Sequence, residues 1–235
     1  MIKDTDFYTI LNADKVDSPF LAVYPERIKA NIQLLMSLFN DKNQIRPHVK
    51  THKCPEVVQL CLDTGITKFK CATIAEAEML ALTGARDILM AYQPVGPKLV
   101  RFLNLMTNFP DCNFSCLVDN QETAQLIAEE ANKRIIHVKV WIDVNVGMNR
   151  TGILPVDAKQ LYNFCGQLPN LEVIGLHAYD GQIIDPDRNI RMAQAEEGFS
   201  MIKELRLELP ELLSIGISII SIYIRNSVFK MLQLL

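Results

Sequence analysis

The chain has 235 residues, 49% of them hydrophobic and 22% charged, with a formal net charge of -3. That length holds one large α/β domain with a substantial core, and the near-even charge excludes a nucleic-acid partner, an acidic tail or a disordered chain. Six cysteines at 54, 61, 71, 112, 116 and 165 form no C-x-x-C pair and fall mostly in apolar runs, and Met1 to Asp6 lack an apolar signal stretch; together these features imply reduced core thiols, a cytoplasmic location and no membrane partner.

In chain order, Ser18 to Tyr24 reads as a short apolar strand, and Pro25 opens a helix to Phe39 with Ile28, Ile32, Leu35 and Phe39 on one stripe. A rhythm follows, with strands expected near 45–50, 69–73, 88–91, 114–118, 136–144, 173–179 and 212–216 and a helical pattern between each pair. Thr73-Ile-Ala-Glu76 is a capping box before a run that Gly84 ends, and Asn120 opens a helix over 121–133. Alternation of apolar strands with helices implies parallel pairing, in either a closed barrel or an open doubly wound sheet. No G-x-G-x-x-G and no Walker loop is present, so the expected fold is a TIM-type (β/α)8 barrel rather than a nucleotide-binding sheet.

Lys50 lies where the strand at 45–50 hands over to a helix beginning at Pro55, which in such a barrel is the active-site rim. Along an extended strand His48, Lys50 and His52 share a face. A lysine aimed into a packed interior loses hydration, its pKa falls, and its amine becomes a nucleophile toward carbonyl compounds. The alternative is an ordinary solvated strand end. A metal on His48 and His52 is disfavoured, because Pro47 argues against the helix that would align them and no ligand set is completed there.

The stretch Arg46-Pro-His-Val-Lys50-Thr-His-Lys53 resembles the cofactor-lysine motif of the D-threonine aldolase and D-serine dehydratase family, pyridoxal 5'-phosphate enzymes built on the alanine racemase type of barrel. The resemblance implies that Lys50, with His48 beside it, holds the cofactor as a Schiff base. Asp143-Val-Asn-Val-Gly-Met-Asn-Arg150-Thr-Gly152 is similar to the family's turn after the fifth strand, which implies that Arg150 faces the cofactor's phenolic oxygen. Gly175-Leu-His-Ala-Tyr-Asp-Gly181 resembles its sixth strand, which implies Tyr179 behind the pyridine ring and His177 toward the phosphate. Read from the residues alone, Arg150 could equally be a surface ion-pair partner, and Tyr179 and His177 could be satisfied core residues. Gln93 and Pro94 also match the family's wording and keep no assigned role.

The likeness runs from about Phe20 to Gly216. Ser214-Ile-Gly216 begins the expected phosphate loop, but Ile217 to Ile224 replaces its threonine and serine residues. Members of the family continue into an eighth strand and a β domain that carries a catalytic divalent metal, whose ligands have no counterpart here. No acidic residue follows Glu211, a shift that fits a changed reading frame or a truncated product, and an intact coding frame would refute it. The expected organisation is therefore an incomplete barrel of about seven native strands over 1–216 and a divergent apolar tail over 217–235, whose first residues could serve as an improvised eighth strand. Asp143 stands where alanine racemases carry a lysine, which weighs against a racemase. The resemblance implies a lyase acting on a small-molecule D-amino acid, impaired by the missing parts, and leaves room for a homodimer; the alternatives are a non-catalytic pyridoxal-phosphate carrier and an inactive fragment.

Overall fold

The computed structural model describes residues 9–209 and the backbone of the strand at 217–220. Helices and strands alternate: α1 (Pro25–Ser37), α2 (Pro55–Asp63), β1 (Lys68–Cys71), α3 (Ile74–Thr83), β2 (Asp87–Met90), α4 (Pro97–Asn108), β3 (Asn113–Val118), α5 (Gln121–Arg134), β4 (Val138–Val144), α6 (Pro155–Cys165), β5 (Leu171–Tyr179), α7 (Arg188–Glu208) and β6 (Ile217–Ile220). All neighbouring strands pair in parallel, in the sequential order β1 to β6. A further parallel bridge joins His48 to Lys70 ahead of β1. Sequential parallel order with outer helices is the wall of a TIM-type barrel, incomplete among the described residues.

Each helix starts in one of two ways. Proline opens α1, α2, α4 and α6, where its fixed φ suits the first turn and its missing N–H leaves no donor unmet. Thr73, Asn120 and Asp187 cap α3, α5 and α7 through side-chain oxygens that accept backbone N–H bonds. Gly84 ends α3 at φ 103°, as its position in the sequence predicts.

The strands divide their residues by parity. Phe69, Cys71, Ile88, Met90, Phe114, Cys116, Val140, Ile142, Leu176 and Ala178 belong to the main apolar core, together with helix residues such as Leu80, Phe102, Ile127 and Leu161. Leu89, Leu117 and Trp141 form a separate small cluster on the opposite, lumen side. The same alternation sets Lys70, Ser115, Asp143 and His177 facing inward, all buried. The barrel thus has an apolar outer layer and a partly polar lumen.

Two strand expectations are corrected. Ser18 to Tyr24 is irregular, and Phe20, Leu21 and Val23 are 46%, 54% and 40% exposed; apolar residues favour a strand only where a neighbour is there to pair and pack with them. The strand at 45–50 shrinks to a bridge, because the ladder bond from Lys70 N to Pro47 O is followed at once by a single 3-10 turn over Val49–Thr51. The expected strand at 212–216 lies outside the described residues.

Candidate active site

Charge and aromatic packing bring the segment before α2 against the lower part of the wall. Arg46 donates to both oxygens of Asp87, at 2.6 and 3.0 Å, and its guanidinium lies 5.8 Å from the Trp141 ring centroid. Trp141 Nε1 donates to Ser115 Oγ at 3.1 Å. These contacts satisfy the Arg46 guanidinium and the Trp141 indole N–H.

At the mouth the chain turns before Lys50. His48 Nδ1 accepts the backbone N–H of Lys50 at 3.2 Å, capping the 3-10 turn, and that turn lifts the Lys50 side chain off the wall. Lys50 is exposed at the rim, which corrects the expectation of a buried amine, and the shared face of His48, Lys50 and His52 ends at His48. His52 instead accepts from Cys54 N at 3.1 Å. The lysine sealed inside the lumen is Lys70, which is 1% exposed. Burial, then the charges of Arg46 and Lys50, lower it to about 7, against an opposing pull from Asp143.

His177 and Asp143 sit opposite each other in the β4–β5 register, and Nδ1 lies 2.6 Å from Oδ1. Burial, followed by the charge of Lys70, lowers His177 to about 4 in spite of the carboxylate beside it. The imidazole is therefore neutral near pH 7, with Nδ1–H donating to Asp143 and a lone pair left on Nε2. His48 is driven to about 3, first by burial and then by the charges of Lys50, Lys70, His177 and Lys53.

The loop after β4 positions Arg150. Asn145 Oδ1 accepts from Gly147 N and Asn149 N, Asp119 Oδ2 accepts from Gly152 N, and a Cβ on Gly152 would stand 2.7 Å from Asn145 N. Only glycine, at φ 97°, fits there. Arg150 then lies with its guanidinium carbon 5.0 Å from the Tyr179 ring centroid, and Tyr179 in turn packs over Gly181, where a Cβ would meet the ring at 2.3 Å. Direct contacts join His48 to the Lys50 backbone and Arg150 to Tyr179, while His177 is held by Asp143 deeper in the lumen.

Sequence reading passed over Lys70. Its only signal is the alternation Lys68-Phe-Lys70-Cys71, which marks a strand polar on one face where a continuously apolar one was expected. Four buried polar atoms here lack a partner: Lys70 Nζ, Gln93 Nε2, Asp143 Oδ2 and His177 Nε2. Among the described residues, no group of three or more His, Cys, Asp or Glu is arranged to hold a metal, and no helix is long and apolar enough to cross a membrane.

The profile of the alanine racemase N-terminal domain matches residues 23–232. The chain belongs to that family. It is 28% identical over 173 residues to the D-threonine aldolase of Arthrobacter sp., covering 72% of this chain and 45% of that protein. It is 27% identical over 167 residues to the D-threo-3-hydroxyaspartate dehydratase of Delftia sp. strain HT23, covering 71% and 41%. The crystal structure of D-threonine aldolase from Filomicrobium marinum superposes with a TM-score of 0.76 at 25% identity, covering 86% of this chain and 55% of that one. The chain spans about half the length of these relatives.

Proposed function

We propose that this barrel binds pyridoxal 5'-phosphate through Lys50 and is the cofactor-holding part of a D-amino-acid lyase of the D-threonine aldolase or D-serine dehydratase type. The supporting observation is the motif around exposed Lys50, whose backbone His48 holds, together with the Arg150–Tyr179 stack that follows β4 and ends β5. The residues present fit the carbonyl and ring end of such a cofactor: an accessible amine, a cation-aromatic stack, and unpartnered buried nitrogen and oxygen atoms beneath. The phosphate loop expected from Ser214 onward lies outside the described residues.

When bound, the cofactor supplies an electron sink for the carbanion left as a bond at the substrate's α-carbon breaks. The chain's own groups have separable tasks. Lys50 offers the amine that holds the aldehyde, and Arg150 supplies a fixed positive charge for the ring oxygen. Tyr179 gives the ring an aromatic backing, and neutral His177, held by Asp143, presents a lone pair to the lumen.

Mixing the purified chain with pyridoxal 5'-phosphate should give the absorbance band of covalently held cofactor, and Lys50→Ala should abolish it. A soluble wild-type chain without a band overturns the proposal. Adding D-threonine or D-serine, with and without a divalent metal, separates lyase from carrier. Little or no turnover is expected from this chain by itself, since it matches only about half of each relative.

A further inference from the structure

The roles assigned above leave Lys70 unused. It stands on the lumen face of β1, level with Leu89 of β2 and Ser115 of β3, and its Nζ has no hydrogen-bond partner. A buried ammonium without a partner is costly, and an interior usually answers by shedding the proton. The groups around it pull in both directions. Arg46 from the segment before α2 and Lys50 from the rim oppose a second positive charge, whereas Asp143 of β4 favours one. His48 and His177 lie close enough for the Lys70 charge to hold both of them down. Arg46 is itself matched by Asp87 of β2. A modest change in the charge of the lumen therefore decides whether Lys70 carries a proton. Asp143 Oδ2 and His177 Nε2, from paired positions of β4 and β5 on the same lumen face, are also without a hydrogen-bond partner among the described residues, and their charges reach Lys70.

We propose that Lys70 takes up a proton when an anionic aldehyde fills the lumen above it, so that capture at Lys50 is accompanied by a new positive charge on the pocket floor. This rests on the reading of Lys50 given above. Once its ammonium has given a proton to solvent, the Lys50 nitrogen bonds to the carbonyl carbon, one water leaves, and no oxidation state changes. Lys70 gains its proton from solvent, as Nζ passes from amine to ammonium. The ring oxygen and phosphate of the incoming molecule supply the negative charge that makes this favourable.

Titration calorimetry with pyridoxal 5'-phosphate at pH 8, repeated in two buffers of different ionisation enthalpy, counts the protons exchanged, while absorbance follows capture. Lys70→Met and Lys70→Gln should both keep the band and take up fewer protons than wild type, the deficit approaching about one per filled site. A role confined to packing would leave that count unmoved. Equal counts in wild type and both variants, with the band intact, overturn the role of Lys70 alone. Loss of the band in both folded variants overturns it too, since Lys70 would then belong to the capture step. No band in wild type overturns the Lys50 reading and this inference with it.

Discussion

An amine sealed in a strand-lined lumen destabilises a fold at any pH where it would be charged in the unfolded chain. Lys70 is lowered from 10.5 to about 7, so the penalty is absent above pH 10.5, grows as pH falls toward 7, and is constant below. Lys70→Met should therefore stabilise the chain at pH 7 by roughly 4 kcal/mol, a gain that falls away near pH 10.5. Urea unfolding of both proteins at pH 7 and pH 10 measures this, and an equal difference at the two values would contradict it. The residue-level reading from sequence rested on motifs, and glycines punctuate two of them. The structure seats Tyr179 over Gly181, Gln182 against Gly147 and the Asn145 backbone against Gly152, and Arg150 in that loop stacks on Tyr179. The reading went astray on which lysine is buried, because strand parity predicts a direction only while the strand lasts, and a single turn at Val49 redirects Lys50.

Helix boundaries were the most legible elements, since capping is local chemistry. Thr73 accepts from Glu76 N at 3.2 Å, while Glu76 Oε2 accepts from Ala72 N at 2.7 Å and its other oxygen pairs with Lys53. The returning bond reaches one residue further back than a standard capping box, tying α3 to the end of β1 and to the segment after Lys50. Thr73→Ala should cost about 1 kcal/mol, and because α3 packs on both β1 and β2 the loss should appear in the global unfolding midpoint, with no change in its steepness. A separate early transition would contradict that coupling. Strands were read less well, since their existence depends on neighbours. The apolar run at 18–24 carries the right residue types and has no ladder partner among the described residues, whereas the four-residue strands β1 and β2 persist because they pair on both sides.

At the level of the molecule, the alternation of strands and helices was enough to give a parallel barrel, and the absence of nucleotide-binding loops chose it over an open sheet. What the alternation could not convey is the contrast between the two sides of the wall. The outer layer is a continuous apolar cluster, and the inner face mixes Leu89, Leu117 and Trp141 with Lys70, Asp143 and His177. The free cysteines follow that contrast. Cys71 on β1, Cys116 on β3, Cys61 on α2 and Cys165 on α6 lie buried in the outer layer, and burial raises the pKa of each thiol, to about 11 for Cys61 and Cys165 and higher still for the other two. Cys54 and Cys112 are only partly covered. Burial raises the Cys54 and Cys112 thiols as well, so exposure sets the order: alkylation in native buffer should tag these two before the other four, whose rates are set by opening of the wall around each one, as peptide mapping over a time course would resolve; uniform labelling would contradict it. Four slow thiols on two strands and two helices give the barrel its own set of clocks, each timing how often its part of the wall comes apart.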